Sequence, residues 1–412
     1  MGNRAACCRE TKPPPRRLSV VNQVVGPLNR ELLEDLCRAG IPCEVLTGWV
    51  DADDTDRLPY PVTWAAPLVK SPAWRRVWSW TTFTARASWF ALRRPGGRFL
   101  VVTNPPLTML AMPCLKRLAG LRYVLLVYDI YPDVGERMGM MRRGGLLART
   151  WRRLSRRALL RAEGVITLGS HMADTLRGHL RAGDSCPIEV IPSWADTEFL
   201  RPLDKAANPF VARHGLAGKF VVMYSGNFGA THDTESIVAA AERLRDLPDV
   251  HIMLIGGGTR EREVADLVAA KALPNLTLLP FQPLSALPHS LASADAAIVC
   301  LDEGYEGIAV PSKTYHALAV GAALLAISPP GTELTDLVAE HACGIHVPPR
   351  SPERLAEAVR SLHGDRDLLA RCRANARRAA EDHFSRTIAT RRCRDYLCRH
   401  LGIEIPPACV ES

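Results

Sequence analysis

Residues 220–233 read FVVMYSGNFGATHD, residues 251–263 HIMLIGGGTRERE, and residues 306–321 EGIAVPSKTYHALAVG. In the first two, an apolar, β-branched run ends in glycine and feeds a helical pattern. That is the sequence form of a strand, a tight turn and a helix, and the amino end of such a helix can hold an anion. The third stretch sets Pro311, Ser312 and Lys313 directly ahead of a helical pattern, again a place for a phosphate. Three anion-receptive turns within about a hundred residues suggest a nucleotide-binding half-molecule.

The same alternation extends on both sides. Downstream come LTLLP, AAIVCL, LLAIS and GIHV, with helical patterns expected at 233–246, 260–272, 284–293, 312–321 and 333–340. SPERLAEAVRSL and the basic pattern from 366 to 400 read as closing helices. Upstream, LSVVNQVV (18–25), a helical pattern at 29–40 and IPCEVLTG (41–48) make a βαβ opening. Residues 50–70 read as a loop, 98–106 as a strand ending at a polar turn, and 121–133 as a buried strand. EGVITLGS and PIEVIPS supply two more strands. The Pro-punctuated connection near 200–208 separates the two halves. The organisation expected is a disordered lead-in at 1–17, a first Rossmann-like domain at 18–203, a second at 208–380, and a last helical segment at 381–412.

A chain of 412 residues exceeds one ordinary core, in line with two domains. Its 47% apolar and 23% charged content describes a soluble globular protein. The most apolar stretch, FLVVTNPPLTMLAMPCL, is interrupted by Asn104, Pro105 and Pro106, which argues against a membrane span. MGNRAACCRETKPPPRR lacks an apolar segment and is not a secretory signal; a cytoplasmic location is expected. The twelve cysteines are scattered with no C-x-x-C pair, so neither a metal site nor a disulfide framework is expected. The net charge of +9 is uneven: eight arginines and no acid lie between Arg142 and Arg161. Upstream, residues 70–94 mix Trp74, Trp78, Trp80, Trp89, Phe83 and Phe90 with five arginines and a lysine. Basic residues beside aromatics suit an anionic membrane surface, or nucleic acid, while a solvated helix face is the plain alternative.

Candidate site residues follow from position. Ligands in open α/β sheets gather at the carboxyl ends of strands, which singles out Asp129, Tyr131 and Asp133 at the carboxyl end of the strand at 121–133. Helix capping is the competing role for Asp133. Gly226, Asn227 and Gly229 let backbone approach phosphates closely, as do Gly256, Gly257 and Gly258, with Arg260 able to face the same anion. The triple glycine is not a dinucleotide fingerprint: the G-x-G-x-x-G spacing is missing, and Asn275 and Leu276 stand where an acid is needed. A nicotinamide dehydrogenase is therefore disfavoured. Lys313, placed at a helix start, sets an ammonium where the helix dipole already favours anions.

Seven short motifs occur in order: TNPPL, YVLLVYDIYPD, IPSWAD, YSGNFG, LIGGG, PNLTLLPFQP and VPSKTYHALAVG. Together they resemble the glycosyltransferases of family 4 over roughly residues 18–400, in particular those that build bacterial O-antigen, capsule and exopolysaccharide. The resemblance implies an α/β GT-B fold, two Rossmann-like doubly wound domains facing across a cleft, with the last helix crossing back to the first domain. It implies a retaining, metal-independent transfer from a UDP- or GDP-sugar, a co-substrate rather than a cofactor, to a lipid-linked saccharide. The enzyme would then work peripherally at the inner face of the cell membrane, with no nucleic-acid partner.

Residue by residue, the resemblance implies catalytic roles for Lys313, Asp129 and Glu306. The donor side takes Gly226, Asn227, Gly229, Gly256, Gly257, Gly258, Arg260, Phe281, Gln282, Pro311, Ser312, Lys313 and His316. The acceptor side takes Gly26, Asn104, Asp129, Tyr131 and Asp133. Several positions depart from the family's pattern. In its Glu-x7-Glu signature the second position is His316 and the first is Ile308, with Glu303 and Glu306 nearby. Asn227 replaces the usual arginine, and Tyr128 the histidine that often precedes Asp129. The cationic role is expected to pass to Lys313. A catalytically silent GT-B binding subunit is the alternative these departures motivate.

Overall fold

The computed structural model describes residues 17–52, 54–69, 71–229 and 233–405. The lead-in expected at 1–17, save Arg17, lies outside them, as do Ala230, Thr231 and His232 of the opening stretch and the tail beyond 405. Two parallel-sheet α/β layers account for the strands. The first sheet contains β1 (Leu18–Val21), β2 (Cys43–Thr47), β3 (Val62–Trp64), β4 (Arg98–Val102), β5 (Arg122–Val127), β6 (Gly164–Thr167) and β7 (Ile188–Val190). Its order is β3-β2-β1-β4-β5-β6-β7. The second contains β8 (Phe220–Asn227), β9 (Val250–Gly257), β10 (Leu276–Leu279), β11 (Ala296–Cys300), β12 (Ala323–Ile327) and β13 (Gly344–Val347), ordered β10-β9-β8-β11-β12-β13.

Strand order reverses between β1 and β4 in the first sheet and between β8 and β11 in the second. A reversal sends the flanking helices to opposite faces and opens a crevice at the strands' carboxyl ends. The second sheet shows why its strands read as unbroken apolar runs. Val222 and Tyr224 of β8 pack into one core with Ile237, Ile252 and Val359. Val221 and Met223, on the opposite face, pack into another with Phe210, Leu318 and Leu324. Both faces are covered, so both must be apolar.

By compactness the chain divides into Met1–Val124 with Cys398–Ser412, and Leu125–Leu397. Within the larger unit, the hydroxyl of Tyr396 accepts the Val165 N–H (3.0 Å) and donates to the Pro187 carbonyl (2.9 Å).

Three expectations about elements are corrected. Residues 50–70 are not all loop: Thr55–Arg57 forms a 3-10 turn, and β3 pairs in parallel with β2, Val45 beside Val62. The helix expected at 284–293 divides into a 3-10 turn, Leu284–Ala286, and a short helix, Leu287–Leu291. The long basic pattern breaks into Arg366–Asp382 and Arg386–Leu401, because the Phe384 carbonyl accepts the Ala195 N–H (3.0 Å) and Ser385 bridges to Ala195.

Candidate functional site

At the β8–β11 reversal, the ends of β8 and β9 lie side by side, with Gly226 in register with Gly256 and Asn227 with Gly257. A Cβ on Gly256 would stand 1.9 Å from the Gly226 carbonyl oxygen, so only glycine allows the two strand ends to meet. Gly258 is similarly confined, its notional Cβ 2.4 Å from the Asn227 side chain. The triple glycine thus packs one turn against the other. Gly229 follows as a buried residue.

Lys313, the first residue of the helix Lys313–Ala319, reaches into this junction. A Cβ on Gly226 would lie 3.4 Å from the lysine stem and 3.5 Å from Nζ. The ammonium sits 3.8 Å from the centroid of the Tyr224 ring. It is sealed from solvent and has no hydrogen-bond partner among the described residues. Burial pushes its pKa down to about 8. Pro311 and Ser312 lead into the helix, the Pro311 carbonyl accepting from the Thr314 hydroxyl (2.7 Å). One turn on, burial lowers the pKa of His316 and keeps its imidazole neutral at pH 7.

The turn after β9 is less free than its sequence suggests. Glu261 accepts the Gly258 N–H (3.3 Å). The Arg260 guanidinium, expected to face a phosphate, donates instead to Glu263 (2.7 and 2.9 Å) and to Glu235. Phe281, 59% exposed, brings its ring to the site's rim, 3.3 Å from a notional Cβ on Gly257. Gln282 beside it donates to its own Pro280 carbonyl (2.9 Å).

Glu306 lies half-exposed on the loop between β11 and the Lys313 helix. This loop is tied to the end of β5: the Ile308 carbonyl accepts the Ile130 N–H (3.4 Å), and Arg137 donates to the Glu303 carbonyl. Asp129, next to Ile130, is open to solvent yet surrounded by protein, and burial pushes its carboxyl up to about 6. Asp133 is different. Burial raises its pKa, but hydrogen bonds from His179 and Arg152 prevail and hold it below the usual carboxylate range; Arg152 lies at 2.9 Å and His179 at 3.1 Å. Tyr131 stacks on Trp151 with 5.8 Å between centroids. Among the carboxyl-end residues of β5, Asp129 alone therefore combines solvent access with a perturbed proton affinity, while Tyr131 and Asp133 are engaged in packing and pairing.

Gly26 and Asn104 follow β1 and β4, the strands on either side of the first sheet's reversal, in the smaller unit. Gly26 caps the helix Pro27–Arg38 with open space where a Cβ would stand, and the Asn104 carbonyl accepts the Gln23 N–H (2.6 Å). Among the described residues, no group of three or more His, Cys, Asp or Glu is placed to hold a metal ion. The nine described cysteines are free thiols. Two residues escaped the sequence reading. Tyr224 lies inside the YSG motif but is joined to Lys313 only through the fold. Glu333 accepts the Met172 N–H (2.9 Å) and caps the helix Ser170–Gly178 from elsewhere in the larger unit.

Two parallel-sheet α/β domains, with a glycine-lined strand junction under a buried lysine at the second sheet's reversal point, define a double-Rossmann protein. Residues 25–194 match the model of a glycosyl transferase 4-like domain and residues 210–379 that of glycosyl transferases group 1; the chain belongs to the family 4 glycosyltransferases of the GT-B fold. It is 27% identical over 266 residues to a probable glycosyltransferase, WbjE, of Pseudomonas aeruginosa, covering 65% of this chain and 66% of that protein. It is 27% identical over 254 residues to a putative colanic acid biosynthesis glycosyl transferase, WcaI, of Escherichia coli, covering 60% and 62%. The chain thus spans just under two thirds of the length of these relatives. Among solved structures it is similar to Anabaena Alr3699/HepE in complex with UDP, with a TM-score of 0.69 and 16% identity, covering 93% of this chain and 100% of that chain.

Proposed function

We propose that this chain is a retaining, metal-independent glycosyltransferase that moves a sugar from a nucleotide-sugar donor to a lipid-linked saccharide in cell-surface polysaccharide assembly. The observation that carries the reading is the Lys313 ammonium beside the Gly226–Asn227 turn, desolvated and without a hydrogen-bonded counter-ion among the described residues. A buried cation with no anion is costly unless a ligand supplies the anion. The diphosphate of a nucleotide sugar is such an anion, and its charge grows as the glycosidic bond breaks. A fixed cation there stabilises the departing diphosphate more than the bound donor, which is what accelerates the chemical step.

In this reading Gly226, Asn227 and Gly257 bring backbone to the phosphates, and Phe281 borders the base. His316, neutral, offers a hydrogen bond to the ribose. Glu306 orients the sugar from its loop. Asp129, ionised at neutral pH but of raised proton affinity, orients the acceptor hydroxyl and takes up its proton. UDP in the HepE structure and the colanic acid context of WcaI support a nucleotide-sugar donor and a polysaccharide product.

The acceptor would be met at the inner membrane surface. No helix of the described residues is long and apolar enough to cross a membrane. On the helix Ala73–Leu92, Trp74, Trp78 and Trp89 are 66%, 67% and 51% exposed, whereas Trp80 belongs to the core. Leu146 and Leu147 stand exposed beside Arg142, Arg143 and Arg149. Exposed tryptophan and leucine among arginines are the side chains that bind an anionic interface. Incubation with a panel of UDP- and GDP-sugars tests the reading: one donor should be bound and cleaved, and a panel with no ligand would overturn it.

A further inference from the structure

We propose that Tyr224 is a positioning residue for Lys313: its ring face seats the ammonium over the Gly226–Asn227 turn and leaves the N–H donors free for a diphosphate. The inference rests on the reading that Lys313 holds the donor. The ring is fully buried and stacked on Phe228 at 5.8 Å. Its hydroxyl donates to the Asn227 carbonyl (2.7 Å). One side chain therefore ties the lysine to the turn that must approach the phosphates. Nζ at 3.8 Å from the ring centroid is well inside the ~6 Å reach of a cation–π contact.

The choice of partner has a physical consequence. A carboxylate here would neutralise the ammonium and compete with the incoming phosphate. A ring quadrupole attracts the cation without occupying its hydrogen-bond donors, so a diphosphate can engage all three. The ionisable neighbours leave this arrangement undisturbed. Cys300 is buried beside the lysine with its thiol pushed up to about 12, chiefly by desolvation, so it stays protonated at neutral pH. Asp233 and Asp302 act on Cys300 from the flanking loops. Asp233 accepts from the Ser236 and Arg350 backbone, and Asp302 pairs with Arg350, so neither carboxylate is the ammonium's partner.

Because burial already lowers the lysine's pKa to about 8, the ring and the diphosphate act in the same direction on its proton. Both favour the charged form. Nucleotide diphosphate affinity should therefore fall about tenfold per pH unit once the free protein begins to lose the proton, above about pH 8. Weakening the ring's negative face should lower both the affinity and the pH at which that fall begins.

The test is calorimetric titration with UDP, and with GDP in parallel, from pH 6.5 to 9.5. The variants are Tyr224→Phe, Tyr224→Leu, Lys313→Met, and a ring-fluorinated phenylalanine installed at position 224. Fluorination drains the ring's face while keeping its shape, so it bypasses any folding defect of the leucine variant. Tyr224→Phe should bind within about twofold of wild type, whereas the fluorinated ring should bind about tenfold more weakly, on the scale of a desolvated cation–π contact, with an earlier alkaline fall. Equal affinity and equal pH onset for the phenylalanine and fluorinated proteins would overturn the role of Tyr224. Wild-type affinity in Lys313→Met would instead overturn the reading of Lys313 beneath it.

Discussion

Replacing Lys313 by methionine should separate stability from function in opposite directions. Methionine keeps the length of the buried stem and removes the charge. Bringing an ammonium from its ordinary 10.5 down to about 8 costs the fold roughly 3 kcal/mol at neutral pH. The contact with the Tyr224 ring returns about 1–2 kcal/mol of that. The variant should therefore be more stable by about 1–2 kcal/mol at pH 7, a rise in melting temperature of a few degrees. Below pH 8 both folded and unfolded wild-type chains hold the proton, and the penalty is constant. Between about 8 and 10.5 the folded chain sheds it first, so wild-type stability rises with pH and the variant's advantage shrinks. Turnover should fall on the order of 10²-fold or more, as when one preorganised donor is removed from a charged transition state. Scanning calorimetry at pH 7 and 9.5, with release of nucleotide diphosphate as the kinetic readout, measures both. A variant less stable than wild type at pH 7, or one with near-normal turnover, would refute the reasoning.

Asp129→Asn should likewise stabilise while inactivating. Burial raises the carboxyl to about 6, so above that pH the fold carries a desolvated carboxylate at a cost asparagine avoids, and the variant's gain in melting temperature should close as pH falls from 6 to 4. Gly169→Ala should destabilise by about 1 kcal/mol in denaturant titration, because the new Cβ would fall 2.3 Å from a Glu333 carboxylate oxygen and dislodge a helix cap. The protein should sediment with anionic vesicles at low salt, release at high salt and ignore neutral vesicles. In that assay, changing exposed Arg142, Arg143, Arg149, Arg153 and Arg157 to glutamine should weaken sedimentation. Arg152 and Arg156 should lower the melting temperature instead, since Arg152 is paired with Asp133 and Glu136 and Arg156 with Asp184.

The fold was legible because its central strands are buried on both faces and write continuous apolar runs that glycine ends. Edge strand β3 was not, since Val62, Thr63 and Trp64 carry little period of their own and are extended by pairing with β2. The break at 383–385 was hidden for a similar reason, its cause being the distant Ala195. In the candidate site, residue types were legible but their partners were not. Arg260 looks like a phosphate ligand until Glu235, from another helix, takes it. Asp133 looks like a twin of Asp129 until Arg152 and His179 pair with it. Gly256 is required by the Gly226 carbonyl, thirty positions earlier in the chain, and Lys313 meets Tyr224 only because β8 and β11 are neighbours.

The most direct measurement is transfer itself: purified protein, a labelled donor from the UDP- and GDP-sugar panel, and a lipid-linked saccharide in anionic vesicles, with EDTA present throughout. The expected result is labelled lipid-linked product of retained anomeric configuration, formed in step with released nucleotide diphosphate and lost in Lys313→Met. Product of inverted configuration, transfer that stops in EDTA and returns with Mg²⁺ or Mn²⁺, or a panel from which no sugar is moved would contradict it.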